Sequence, residues 1–255
     1  MKFGRFAVDD ALGVRLAHSL TLPGHKLRKG HLLDASDLAR LRAAGVAAVL
    51  GARLGDDDVD EDSAAASAGA LLAGEHLLAR GAAQGRCNLQ AAVDGVLLVD
   101  AVAIDRLNRI DAALTVGTLA PYSVVRKGQV AATVKTIPFA VAATSIDAWR
   151  HLAAVGQTLR LAPLRPQRVA LICSAGAATT DKLLGATEAV TRQRIEDLGS
   201  DLVKTARCQH DLNALQAELR AALAADVNMI LIAGAAVSKD RGDTVPAWAK
   251  GTICV

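Results

Sequence analysis

Aromatic side chains are scarce in this chain of 255 residues: three Phe, two Trp and one Tyr, 2% of the total. That removes the stacking platforms on which single-stranded nucleic acid is usually bound. It also obliges any core to be aliphatic, within a composition that is 52% hydrophobic. Charge of one sign is not in excess, and a net +3 is too small to mark a nucleic-acid surface. The cysteines, Cys87, Cys173, Cys208 and Cys254, are scattered and contain no CxxC pair. A zinc ribbon and a disulfide framework are therefore not expected, and a reduced, cytoplasmic setting is. No run of 18 apolar residues occurs, and acidic residues arrive early in MKFGRFAVDDALG, before any stretch of signal-peptide length. Neither a membrane span nor export is expected. The phosphate-binding patterns GxxxxGK[ST] and GxGxxG are also missing.

What is present divides in two. LAPLRPQR, residues 161–168, sets Pro163 and Pro166 around a short basic link. This predicts an α+β domain over residues 1–162 and an α/β domain over residues 167–255. In the second, RVALIC (168–173) reads as a buried strand, and residues 187–198 as a helix presenting Val190, Ile195 and Leu198. DLVKTA (201–206) is a second strand. Asp211 then caps a helix striped by Leu212, Leu215, Leu219, Ala222 and Leu223, and MILIA (229–233) is a third strand. Two such crossovers are the unit of a doubly wound parallel sheet, with helices on its faces.

The first domain is less regular. A turn is expected at Lys29 and Gly30, then a helix capped by Asp34 or Ser36 and stopped by Gly45, then a strand. GVLLVDA (95–101) and ALTVGTL (113–119) read as strands around a short helix, and residues 126–139 as a turn and a strand. The AAASAGALLAG segment reads as a helix, since Ala is the best helix former. GDDDVDED (55–62) carries six carboxylates in eight residues and reads as a solvated loop, with a divalent-cation site as the alternative.

The first strand of the second domain gives way to SAGAATTDK and the third to GAAVSKDRGDT. In a parallel sheet both loops lie at one edge, so Thr179, Thr180, Asp181 and Lys182 face Ser238, Lys239, Arg241, Asp243 and Thr244. Small residues at the loop starts, Gly234 and Ala235 among them, let backbone N–H groups approach an anion. Lys and Arg complement phosphate charge, and Asp can hold magnesium. This reads as a site for a phosphorylated ligand, the plain alternative being a wet turn. Asp243 or Thr244 could also cap a helix begun by Pro246. Cys208, His210 and Asp211 have metal-binding chemistry, but a helix entry capped by Asp211 is the preferred reading. His18, His25, His31, His76 and His151 fall into no catalytic pattern.

Gly234 followed by Arg241, Asp243, Thr244, Val245 and Pro246 resembles the glycine-rich turn and Arg-Asp-x-Thr-Pro signature of the molybdopterin-binding domain. That domain is shared by molybdopterin adenylyltransferases and molybdenum insertases. Ala235 and Ala236 stand where the signature usually has glycine and threonine, and Gly242 separates Arg241 from Asp243. Residues 1–162 are similar to the leading part of bacterial proteins that join such a domain to a molybdenum cofactor nucleotidyltransferase. The resemblance implies a parallel sheet of molybdopterin-binding type, incomplete at the C-terminus, with molybdopterin as ligand. The implied activity is either adenylyl transfer from ATP or molybdate insertion. Asp243 and Asp181 would be the catalytic and magnesium-holding residues. Gly234, Ala235, Ser238, Lys239, Arg241, Thr244 and Thr180 would hold the pterin phosphate. It also admits a noncatalytic module that hands the pterin to a nucleotidyltransferase partner, or a fragment retaining only folding information. A sheet that stops soon after the signature is expected to expose an apolar edge, which favours a homo-oligomer or a partner.

Overall fold

In the first lobe of the chain, local capping and turn chemistry fix the elements. The computed structural model describes residues 1–236 and Val245. The lobe comprises β1 (Lys2–Ala7), β2 (Arg15–Leu16), β3 (Leu20–Leu22), β4 (His25–Leu27), α1 (Ala35–Ala43) and β5 (Ala48–Arg53). Strand β5 runs between β1 and β2, antiparallel to both, and β3 pairs with β4. Gly30 turns the chain at φ +81° and Gly45 follows α1 at φ +72°, a region that glycine enters without strain. Of the two possible caps for α1, Asp34 serves: it accepts from Asp37 N at 2.8 Å, and the Asp37 carboxylate accepts from Asp34 N at 3.3 Å. Ser36 instead donates to Asp34. The Asp37 N–H and the Ser36 hydroxyl hold the Asp34 carboxyl below the usual range. Leu16, Leu27, Leu33, Leu41 and Phe6 are buried together beneath α1 and the sheet.

The rest of the first unit comprises β6 (Asp58–Asp60), α2 (Glu61–Leu72), β7 (Leu77–Ala83), β8 (Arg86–Ala91), β9 (Gly95–Val99) and α3 (Ala101–Asn108). There follow β10 (Leu114–Thr118), β11 (Val124–Val125), β12 (Val130–Thr136), β13 (Ala140–Ala142), α4 (Ala143–Ala153) and β14 (Leu159–Pro163). Its antiparallel sheets run β10-β12-β8-β7, β11-β9-β14 and β13-β6. Ala64, Ala65 and Ala68 of α2 pack into a core that includes Trp149, Leu89, Leu97 and Leu161.

GDDDVDED is not the solvated loop that its charge density suggests. Asp58 and Asp60 lie in β6, paired with β13. Asp58 accepts from Gly55 N at 2.7 Å, Asp60 from Ser63 N at 3.2 Å as the cap of α2, and Asp62 from Gly85 N at 2.7 Å. Engaged with backbone N–H groups and, at Asp58, with the N-terminal ammonium at 2.6 Å, these carboxylates shape the chain instead of repelling it open.

The chain divides into two compact units, Met1–Pro163 and Leu164–Val255. The second contains β15 (Arg168–Ala175), α5 (Asp181–Asp197), β16 (Asp201–Gln209), α6 (Leu212–Leu223) and β17 (Met229–Ala233). Its strands are parallel, in the order β16-β15-β17. Leu184 and Ile195 of α5 pack on Val169, Leu171 and Cys173, while Leu215, Leu219 and Ala222 of α6 pack on Ala170 and Ile172. Odd and even residues of β15 thus face different helices. Among the described residues, three parallel strands with one helix per face make a smaller unit than the doubly wound sheet expected, and the remaining ladders are antiparallel.

Helix α5 begins at Asp181, six residues before the expected start, because Thr180 caps it by accepting from Leu183 N at 3.3 Å. Its inward residues are Leu184 and Ile195, whereas Val190 and Leu198 are exposed, as are Leu212 and Leu223 on α6. Strand β17 ends the sheet among the described residues, beside an apolar groove of about 500 Å³ lined by Leu171, Ile195, Met229 and Leu231. Among the described residues no helix is long and apolar enough to cross a membrane.

At Gly51 the backbone of β5 presses on its neighbour: a methyl group there would collide with the Arg15 carbonyl and lie 2.5 Å from Val14 Cγ1. Gly51→Ala is expected to destabilise the first unit by about 1–3 kcal/mol, read from its urea-unfolding midpoint.

Candidate functional site

The carboxyl ends of β15, β16 and β17 converge on one hydroxyl. Ser174 lies near the end of β15, directly after the buried apolar run Val169–Cys173, and it is 2% exposed. Its Oγ lies 2.8 Å from His210 Nδ1 and accepts from Ala235 N–H at 3.2 Å. His210 is further fixed by its own N–H, which donates to the Ala175 carbonyl at 2.9 Å. The hydroxyl thus joins the residues that follow β16 and β17, and whether it donates to His210 Nδ1 or accepts from it depends on the imidazole tautomer. Ser174 therefore acts as a latch between loops.

The loop after β15 closes on itself. Gly176 N–H donates to Thr179 Oγ1 at 3.0 Å, and Thr179 N–H returns to the Gly176 carbonyl at 3.0 Å. A methyl group built on Gly176 would lie 3.5 Å from Ala235 Cβ, so the starts of the two loops are neighbours, as the parallel arrangement requires. One built on Gly234 would lie 3.1 Å from the Ala236 carbonyl oxygen, 3.6 Å from Val245 Cγ2 and 3.9 Å from His210 Cε1.

The candidate residues meet in part. Thr180, Asp181, Gly234 and Ala235 belong to the described carboxyl edge, whereas Ser238, Lys239, Arg241, Asp243 and Thr244 lie outside the described residues. Thr180 is a helix cap. Asp181 is a solvent-facing first-turn residue 3.4 Å from Arg207 Nη1. The same guanidinium is gripped by Glu188, at 2.7 Å from Nε to Oε1 and 3.0 Å from Nη2 to Oε2. This bidentate contact holds the Glu188 carboxyl below its usual range and raises the Arg207 guanidinium. Asp211 caps α6 by accepting from Ala214 N at 2.9 Å. Among the described residues no group of three acidic, histidine or cysteine side chains could hold a metal ion. Burial raises the Cys173 and Cys208 thiols, so neither is an activated nucleophile.

Sequence reasoning passed over Ser174, and it weighed His210 only beside Cys208. The available signal was a hydroxyl interrupting an apolar strand one residue before its end, together with a histidine just ahead of a helix cap.

A family model described as a domain of unknown function (DUF8806) matches residues 5–53, the stretch from within β1 to the end of β5. No curated protein matches the chain.

Two outcomes test this geometry. Ser174→Ala strands a backbone N–H and an imidazole nitrogen, and is expected to cost about 1–3 kcal/mol in urea unfolding of the second unit. Glu188 titrates lower when folded than its ordinary 4.5, so its contribution is complete above that pH and is lost as pH falls through the lower folded value. Between pH 7 and pH 3, Arg207→Met should flatten the stability profile of the second unit relative to wild type.

Proposed function

We propose that the chain binds molybdopterin at the carboxyl edge of β15 and β17, in molybdenum cofactor biosynthesis. The observation that carries the reading is the strand order. From β15 the chain leaves through α5 to β16 on one side, then returns through α6 on the other face to β17 on the opposite side. In open parallel sheets, the crevice between strands whose connections diverge in this way is where ligands collect. On this reading the crevice would be bordered by Gly176 and Gly234–Ala235, small residues at the loop starts; the Gly176 N–H already donates to Thr179 Oγ1 and the Ala235 N–H to Ser174 Oγ, so a phosphate there would have to displace one of these bonds. The doubly wound sheet of molybdopterin-binding type is the finer form of this fold that the reading requires.

Binding asks less of the described residues than catalysis does. The hydroxyl of Ser174 is buried in a latch, and Asp181 sits beside Arg207. Among the described residues Asp181 has no companions with which to make a magnesium site. These two observations favour the noncatalytic reading, in which the chain presents the pterin to a nucleotidyltransferase partner, over adenylyl transfer from ATP or molybdate insertion.

Titration calorimetry with molybdopterin and the full chain tests the reading. Saturable binding is expected, with Asp243→Ala weakening it about tenfold, roughly 1.4 kcal/mol, and leaving the melting curve unchanged. Absence of binding by the folded protein would remove the proposal. Pyrophosphate release from ATP in the presence of molybdopterin would overturn the noncatalytic reading in favour of adenylyl transfer.

A further inference from the structure

The first unit contains a cavity of about 460 Å³ whose wall combines Lys29, Glu61, Lys135, Ile137, Pro138 and Phe139. Its size is within the range of small-molecule sites. The turn at Gly30 brings Lys29 to one side, and its Nζ lies 5.9 Å from the centre of the Phe139 ring. Strand β12 supplies Lys135 from its less buried face, and the ammonium donates to the Gln84 carbonyl. Behind Gly30, the Arg15 guanidinium donates to the Gly30 carbonyl at 3.4 Å, while its buried Nε has no partner among the described residues.

Glu61, the first residue of α2, is the point around which these cations gather. Lys135, Arg15 and Lys29 all act on its charge, yet burial and the neighbouring Asp62 raise its carboxyl above the usual range. Among the described residues it accepts no side-chain hydrogen bond and forms no ion pair. A methyl group on Gly85, which turns at φ +67°, would lie 3.2 Å from Glu61 Oε2, so bare backbone approaches the carboxylate closely. Of the cavity's lining side chains two are ammonium groups, Lys29 and Lys135, and one is a carboxylate, Glu61, so the lining is net positive, which disfavours a metal ion and favours an anion. Ile137, 61% exposed, continues the apolar wall made by Pro138 and Phe139.

We infer that this cavity is a second binding site, for a small organic anion with a flat apolar body. The anionic group would lie between Lys29 and Lys135, and the body against Ile137, Pro138 and Phe139. The inference uses only first-unit residues and does not depend on pterin binding in the second.

Titration calorimetry on the full chain with naphthyl phosphate, inorganic phosphate and naphthol separates charge from body. Naphthyl phosphate is expected to bind saturably and at least tenfold more tightly than either component. Lys29→Gln combined with Lys135→Gln should weaken it at least tenfold, with the melting curve and the molybdopterin titration unchanged. Glu61→Gln should tighten it severalfold, because it removes the carboxylate from the cavity lining. A purely structural role for Glu61 would not produce that reversal. Three results would each overturn the site: no saturable binding by the folded chain, wild-type affinity in the double variant, or weakening by Glu61→Gln. Wild-type affinity in the double variant would instead direct attention to the apolar groove beside β17.

Discussion

Strand β15 is the constraint on which the second unit depends. It is hydrogen-bonded to β16 on one side and β17 on the other, and it is covered on both faces by α5 and α6. A strand enclosed on four sides has no polar face, which is why Val169 through Cys173 form an unbroken buried run. A hydroxyl at the end of such a run must find partners or incur a desolvation penalty. Ser174 finds them on the residues that follow the two flanking strands, His210 after β16 and Ala235 after β17. The need to satisfy one buried side chain and the placing of two loops beside a candidate ligand crevice are therefore a single event.

This separates what was legible in the residues from what was not. RVALIC and MILIA were readable as strands because each is dominated by a continuous apolar run, and Asp211 was readable as a cap from its place before a leucine stripe; DLVKTA lacks such a run, and its strand has only Leu202 buried. The start of α5 was obscured by TTDK, whose composition suits a loop as well as a cap and first turn. The acidic segment before α2 was misread because charge density says nothing about which backbone N–H groups are in reach. Antiparallel pairing was illegible for a different reason. Alternation gives a face but not a partner, and β8 lies between β7, its hairpin neighbour, and the distant β12, where Thr133 donates to Asn88 at 2.9 Å. Of the candidate site, the residues from Ser238 to Thr244 lie outside the described part, so its strand ends were legible and its charged loop is untouched by the geometry.

The shortage of aromatics shapes the first unit in a comparable way. With few large rings to fill space, helix and sheet come close together. A methyl group on Gly69 of α2 would lie 2.5 Å from Cys87 Sγ in β8, and Ala64, Ala65 and Ala68 share that surface. Small residues permit such contact only where both surfaces are regular. Where β12 gives way to the Ile137–Pro138 turn, the packing changes. Phe139 is buried with Ala17 and Ala52, apart from the main core, and the cavity of Lys29, Lys135 and Glu61 opens beside it.

The two candidate sites differ in the origin of their positive potential, and that difference has physical weight. At the edge of β15 and β17 the described positive pole is the N-terminal end of α5, a fixed dipole, because the Gly176 and Ala235 N–H groups are already taken by Thr179 and Ser174. Beside Phe139 the potential comes from the Lys29 and Lys135 ammonium groups, partly open to solvent and opposed by the Glu61 carboxylate. Fixed dipoles act at contact distance and favour a phosphate that can shed water into a narrow crevice. Ammonium groups act over a longer range, so mobile salt screens them more strongly as ionic strength rises. An anion at the first site would be selected by shape around its phosphate. At the second it would be selected by the apolar body that brings it against Ile137 and Phe139, because charge alone at a half-open surface contributes little to affinity.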